Sequence, residues 1–111
     1  MACEVNERVP DKRKIKEIES RLLTEAEIIL TTLSSSGSDR LDQLKDEIGC
    51  LIIDEAAQST EPNTLIPFQM GVEKVILFGD PCQLPATLIN QKLSKCKFDR
   101  SLFERIIDNG H

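Results

Sequence analysis

Residues 50–58 read CLIIDEAAQ, in which an unbroken apolar run is followed at once by two adjacent carboxylates. A continuous apolar run without alternating polar residues is typical of a strand that is covered on both faces. We therefore predict a buried strand over residues 48–54. The same pattern in KVILFGD predicts a second such strand over 74–80. EIILTTL predicts a further short strand over 27–33, which stops at the polar sequence SSSGS.

Between the predicted strands, apolar residues recur at the three- and four-residue spacing of amphipathic helices. The predicted helical segments are 10–26, a short and weakly patterned 41–48, 57–68, and 99–110. Pro62 and Pro67 restrict where the third of these helices begins and ends. The last has an Asp or Ser start signal and an Asn-Gly stop. Strands alternating with helices predict a parallel α/β sheet with right-handed crossovers.

The composition predicts one small domain over residues 11–111, preceded by a poorly patterned segment over 1–10. With a formal net charge of −5, the chain as a whole is not a basic polyanion-binding domain. The basic cluster within residues 12–21 is interleaved with glutamates, which indicates a solvated helix face with i,i+4 charge pairs. Four cysteines without a CxxC pair, and a single histidine, indicate neither a zinc site nor a disulfide framework.

The same sequence predicts a soluble, intracellular protein in a reducing compartment. It has no apolar run of about 18 residues and no charged-then-apolar leader, so neither a membrane span nor a secretory signal is expected.

Polar residues follow each predicted strand, where ligands bind in open α/β sheets. These sets are Thr32–Ser36, Asp54–Glu55 and Gly79–Asp80. Because the carboxyl ends of parallel strands meet at one edge, we expect the three sets to open onto the same edge. Gly79 permits close approach of the backbone there.

Asp54 and Glu55 are the candidate acidic pair of this edge. A carboxylate at the end of a buried strand suits Mg²⁺ held through water, since Mg²⁺ takes only one or two protein oxygens. Glu55, one residue further on, is suited to accept a proton from water that attacks a phosphate, or to orient that water. The Gln83 amide can donate to a phosphate oxygen. Alternatively, Asp54 caps the following helix and Glu55 lies near its positive end.

Three motifs together resemble a known family. IIDEAAQ (52–58), GDPCQLPAT (79–87) and TTLSSSG (31–37) look like motif II (Walker B), motif III and the nucleic-acid-contacting motif Ic of superfamily 1 helicases of the senataxin and nonsense-mediated-decay group. FDRSLFERI (98–106) resembles the segment that follows motif III in that group. The resemblance runs from about Glu19 to Arg105, and it implies a partial RecA-like P-loop NTPase domain, in which a parallel sheet is flanked by helices.

The resemblance implies roles for five residues in binding and hydrolysing ATP. Asp54 would coordinate Mg²⁺, Glu55 would be the catalytic base, and Gln83 would sense the γ-phosphate and couple it to strand movement. Gln58 and Asp80 would belong to the same polar network.

The resemblance also implies partners. Thr31, Thr32 and Ser34 would contact the sugar-phosphate backbone of single-stranded RNA or DNA, or of an RNA:DNA hybrid. The rest of the helicase core would be the protein partner, and no membrane is implied. The family is nuclear or cytoplasmic, and the resemblance favours the nucleus.

The sequence departs from the family in lacking motif I. A P-loop needs glycines followed by a Lys, and none of the five glycines here precedes a Lys. We expect motif I upstream of residue 1 and the arginine motifs downstream of residue 111. The isolated chain is then predicted neither to hydrolyse ATP nor to unwind duplexes. Without the P-loop strand, residues 75–79 would form an exposed apolar edge that aggregates or binds a partner.

Two other functions remain open from the sequence. One is a non-catalytic, truncated helicase copy that binds RNA or a partner protein through TTLSSSG and the open sheet edge. The other is a different P-loop ATPase lineage, against which the LPAT after GDPCQ argues.

Overall fold

The computed structural model describes residues 11–88 and 90–111, except for the side chains at 91 and 93, so the predicted segment 1–10 lies outside the described residues. The α-helices are α1 (Lys12–Glu25), α2 (Glu61–Leu65) and α3 (Leu102–Asp108), and the strands are β1 (Cys50–Ile53) and β2 (Lys74–Leu77). Short 3₁₀ helices span Ser35–Gly37, Asp42–Leu44, Ala56–Gln58, Ile66–Met70 and Gln91–Cys96. In this part of the chain, no helix has the length and apolarity needed to cross a bilayer.

The sheet consists of β1 and β2, which pair in parallel with Cys50 opposite Lys74 and Ile53 opposite Leu77. The pairing continues one step beyond the strands, because Phe78 N donates to Ile53 O at 2.8 Å. The crossover between the strands contains α2 and the 3₁₀ helix Ile66–Met70, as the helical spacing over 57–68 predicted. Pro62 occupies the first turn of α2, where its missing N–H is tolerated. The predicted parallel α/β arrangement is therefore confirmed.

The predicted strand over 27–33 is wrong. Residues 27–33 run as irregular chain, with the side chains of Ile28 and Leu30 81% and 92% exposed. A strand needs backbone partners on a neighbouring strand. Within residues 11–88 and 90–111, no backbone hydrogen bond joins this segment to the β1–β2 sheet. The segment therefore has no neighbouring strand to pair with, despite its high β propensity.

The prediction that both strands are covered on both faces is also wrong. Exposure alternates along them: Ile53 is buried and Leu51 half-buried, whereas Ile52 is 61% exposed. Successive side chains of a strand point to opposite faces. The described helices and loops therefore cover one face of the sheet and leave Ile52 and its register partner Ile76 exposed on the other.

An apolar cluster forms around the segment that was predicted as a helix over 41–48. Leu41 and Leu44 pack with Met70, and four partly buried apolar side chains pack against them: Leu23 of α1, Ile29, Ile48 and Val72. The segment is a 3₁₀ helix, Asp42–Leu44, followed by a turn. It does not continue as a helix because Asp46 adopts a positive φ of 65° and donates its N–H to Met70 O at 2.8 Å.

The first and last helices follow their sequence signals. α1 begins after Asp11, whose carboxylate accepts from Arg13 N, and it carries an Arg21–Glu25 ion pair at i,i+4. None of its residues is buried, in agreement with the predicted solvated helix. At α3, Ser101 forms a capping box with Glu104: each side chain binds the backbone N–H of the other residue.

Candidate functional site

The acidic pair lies where β1 ends. Both Asp54 and Glu55 are exposed, and Asp54 Oδ1 accepts from the backbone N–H of Glu55 at 3.0 Å. Glu55 has a left-handed backbone with φ 52° and ψ 39°. This conformation costs a residue with a β-carbon on the order of 1 kcal/mol, and it persists only where the surrounding structure imposes it. The alternative that Asp54 caps a helix is not supported, because its carboxylate binds the next residue only.

Gln58 closes the turn that begins at Glu55. Its backbone N–H donates to Glu55 O at 2.9 Å, and its side-chain Nε2 donates to Glu55 Oε2 at 3.0 Å. The structure therefore brings together the two residues that the sequence placed in one polar network. The consequence for Glu55 is a carboxylate with one oxygen oriented by Gln58 while the residue stays exposed to solvent.

Asp80 and Gln83 form a second turn just beyond β2. Asp80 Oδ1 accepts from Cys82 N at 2.9 Å, Asp80 Oδ2 accepts from Gln83 Nε2 at 3.4 Å, and Gln83 N donates to Asp80 O at 3.1 Å. Because β1 and β2 are parallel, this turn lies at the same edge of the sheet as the acidic pair. Within the described residues, no hydrogen bond links Gln83 to Glu55.

The two turns touch through their smallest residues. A β-carbon built on Gly79 would approach Ala57 N to 2.9 Å and Ala56 N to 3.2 Å, both closer than ordinary van der Waals contact. Ala56 N also donates to Phe78 O at 2.7 Å. Ala56 and Ala57 are buried in this contact. The close approach predicted for Gly79 is thus made to the turn that carries Glu55.

The helix α3 also packs against the Ala56–Gln58 turn. Ser101 and Leu102 at its start are buried. One turn later, Arg105 Nε and Nη2 donate to the two carboxylate oxygens of Glu61 at 2.8 and 2.7 Å. The hydrogen bond and the negative charge of Glu61 raise the pKa of Arg105.

Sequence reasoning missed Glu61 and Arg105 as members of this site. They are 44 positions apart, and no local pattern indicates that they meet.

The loop over residues 31–37, which carries the candidate hydroxyl groups, packs on a different part of the fold from the acidic pair. Thr31, Thr32 and Ser34 are exposed, and Thr32 Oγ1 donates to Ser35 Oγ at 3.0 Å. A β-carbon at Gly37 would come within 2.8 Å of Ile66 Cγ2, so the loop packs on the crossover. The prediction that it follows the end of a third strand is wrong, because no strand forms over 27–33.

The acidic edge fits hydrated Mg²⁺. In the described part of the chain, no three His, Cys, Asp or Glu side chains cluster to ligate a metal directly. Mg²⁺ commonly keeps several waters and binds one or two carboxylates together with substrate phosphates. The exposed Asp54 carboxylate at the end of β1 fits this mode of binding.

The chain is a part of a RecA-like P-loop domain. This class has a parallel α/β sheet with an acidic pair after one strand and an Asp–Gln turn after the next, as found here. The chain belongs to the AAA domain family, whose model matches residues 5–91. Its curated relatives place it in the senataxin and nonsense-mediated-decay group of superfamily 1 helicases.

Three relatives illustrate the similarity. A probable helicase of Dictyostelium discoideum is 51% identical over 89 residues, which are 80% of this chain and 9% of the relative. Helicase sen1 of Schizosaccharomyces pombe is 40% identical over 94 residues, 85% of this chain and 6% of the relative. The ATP-dependent helicase NAM7 of Saccharomyces cerevisiae is 35% identical over 97 residues, 87% of this chain and 10% of the relative. The chain thus spans about a tenth or less of each.

Proposed function

We propose that this chain supplies the metal- and water-handling side of the ATP site of a helicase that acts on RNA or DNA. The observation that carries the proposal is the contact between two turns at one sheet edge. One turn holds Asp54 and Glu55, the other holds Asp80 and Gln83, and Gly79 packs against Ala57 between them. The helicase names of the relatives support the same function.

Each residue of the edge has a chemical role in the proposed reaction. Asp54 would hold Mg²⁺ through water, and the cation would supply charge neutralisation at the phosphate oxygens. Glu55 accepts the proton of the attacking water, with its carboxylate oriented by Gln58. Gln83 donates to the γ-phosphate through one N–H of its side-chain amide, and the other N–H stays bonded to Asp80 Oδ2 at 3.4 Å.

The phosphate cradle of this site is expected outside the 111 residues. None of the five glycines precedes a Lys, so the sequence holds no P-loop. In the isolated chain, nucleotide would be held by Mg²⁺ contacts alone, too weakly for turnover. The rest of a helicase core is the protein partner in this proposal.

The nucleic-acid partner is single-stranded RNA or DNA, or an RNA:DNA hybrid. Support comes from the exposure of Thr31, Thr32 and Ser34 on one loop, since hydroxyls bind sugar-phosphate backbones without reading sequence. Family resemblance favours a nuclear location.

The test is steady-state ATP hydrolysis by the full-length product of the gene, with and without single-stranded RNA. We expect stimulated hydrolysis, and a loss of about 10²-fold or more in kcat for Glu55→Gln, as for removal of a general base. Glu47→Gln, an exposed Glu before β1, is the matched control and should behave as the unmodified protein.

Three results would count against the proposal. The assignment of the ATP site would be refuted if single-stranded RNA did not stimulate ATP hydrolysis, or if Glu55→Gln kept full activity. RNA binding without hydrolysis would instead favour the non-catalytic function. Hydrolysis by the isolated chain that is lost in Glu55→Gln would show that no cradle from elsewhere is needed.

A further inference from the structure

The turn that carries Glu55 is held by two elements, the end of β2 and α3. On the sheet side, Ala56 N donates to Phe78 O and the backbone of Gly79 lies against Ala57. The helix α3 packs against the same turn, with Ser101 fully buried just before its first residue. The turn leads into α2 at Glu61, so any group that fixes Glu61 also fixes the exit of the turn.

The Glu61–Arg105 ion pair is the connection between α3 and that exit. Two guanidinium nitrogens of Arg105, Nε and Nη2, each donate to a different carboxylate oxygen of Glu61. The side chains of Glu61 and Arg105 are only 28% and 43% exposed. A bidentate Arg–carboxylate pair fixes orientation as well as distance, because the planar fork matches the carboxylate in one geometry only. A Lys at 105 would keep the charge and lose the orientation.

The left-handed backbone of Glu55 makes this support necessary. A residue with a β-carbon leaves that conformation when its surroundings stop imposing it. Once Glu55 relaxes, its carboxylate no longer meets the Gln58 amide at 3.0 Å, and its direction at the end of β1 changes.

We propose that Glu61 and Arg105 are positioning residues that hold the Glu55 carboxylate in its working orientation, by clamping α3 onto the turn after β1. The proposal rests on the proposed function, in which Glu55 activates water. Neither residue touches the reacting atoms. Their effect reaches Glu55 through the backbone of Ala56, Ala57 and Gln58.

The first test measures amide hydrogen exchange in the full 111-residue chain. Arg105→Gln should accelerate exchange at the Ala56 and Gln58 amides by about tenfold or more, which corresponds to about 1.4 kcal/mol of local opening free energy. The Phe78 amide, bonded to Ile53 within the sheet, should not change.

Arg100→Gln is the matched control, because Arg100 forms its ion pair with Asp108 of α3 rather than with Glu61. It should leave the Ala56 and Gln58 amides as they are. If Arg105→Gln fails to fold, Arg105→Lys decides, since it retains the charge and should still accelerate exchange at the turn.

The second test measures ATP hydrolysis by the full-length gene product. Arg105→Gln should lower kcat about tenfold while leaving KM for ATP unchanged, since a transition-state interaction is lost and substrate binding is kept. Arg105→Lys should recover part of kcat, and Arg100→Gln should retain all of it.

The two tests separate this inference from the function on which it rests. The pair has no positioning role if exchange at the turn is equal in Arg105→Gln and Arg100→Gln. The same conclusion follows if the Phe78 amide accelerates with the turn, which would be general destabilisation, or if kcat is unaltered. If the gene product hydrolyses no ATP at all, the proposed function fails, whereas the exchange measurement still decides whether the pair holds the turn.

Discussion

Gln58 donates from its side-chain amide to the carboxylate of Glu55, with 3.0 Å between Nε2 and Oε2. Both residues are exposed, so the hydrogen bond orients Glu55 without removing it from solvent. If Glu55 activates water, Gln58 sets the direction in which its second oxygen points.

We therefore expect Gln58→Ala to lower kcat for ATP hydrolysis by about fivefold in the full-length gene product, since a hydrogen bond contributes roughly 1 kcal/mol. KM for ATP should be unchanged. The control is Gln69→Ala, which removes an exposed amide from the 3₁₀ helix Ile66–Met70 and should leave kcat unchanged. Equal rates for the two variants would show that Gln58 does not orient Glu55.

Gly79→Ala should destabilise the chain by about 1–3 kcal/mol, because the added methyl group meets main-chain nitrogens of the Ala56–Ala57 turn. The measurement is the midpoint of urea unfolding. Gly49→Ala serves as the matched control, since a β-carbon at that position meets nothing within 4 Å. A Gly79→Ala midpoint equal to that of Gly49→Ala would mean that the two turns do not touch as described.

Ser101→Ala should cost about 1 kcal/mol of unfolding free energy, since it removes the side-chain cap of α3 and half of the capping box. Thermal unfolding followed by circular dichroism measures the loss. Ser94→Ala, at an exposed position outside α3, should have no effect. An unchanged melting temperature in Ser101→Ala would contradict the capping geometry.

The uncovered face of the sheet should make the chain self-associate. Ile52 and Ile76 are register partners on this face, and Phe78 continues it with 55% exposure. We expect Ile76→Lys to reduce the association measured by sedimentation at micromolar concentration, because a buried charge opposes contact between apolar faces. Leu30→Lys, outside the sheet, should not reduce it. A monomeric unmodified chain with a cooperative melt would refute the expectation.

Signals within a short stretch of sequence, such as capping residues and apolar runs, were sufficient to predict the helices α1 and α3 and the strands β1 and β2. Asp11 and Ser101 cap α1 and α3 where the sequence placed helices, and the two long apolar runs became β1 and β2. The positions of Asp54 and Asp80 at one edge follow from parallel pairing alone. Their roles, and those of the hydroxyls at 31, 32 and 34, stay predictions.

Features that depend on distant partners were not predictable from one sequence. EIILTTL has the composition of a strand, but strand formation requires a neighbour that the described residues do not provide. The positive φ of Glu55 is imposed by surrounding turns rather than by its own preference. The Glu61–Arg105 pair joins two helices across 44 positions, so charge patterning along either helix does not reveal it.

The contact at Gly79 has a consequence for how this site varies among related sequences. Two of the three nearest atoms to a side chain at position 79 are backbone nitrogens, which every amino acid shares. No substitution at 56 or 57 removes those atoms, so no change at either position restores the space. Position 79 should therefore not covary with position 57, and suppressor screens of Gly79→Ala should return no compensating substitution at 56 or 57.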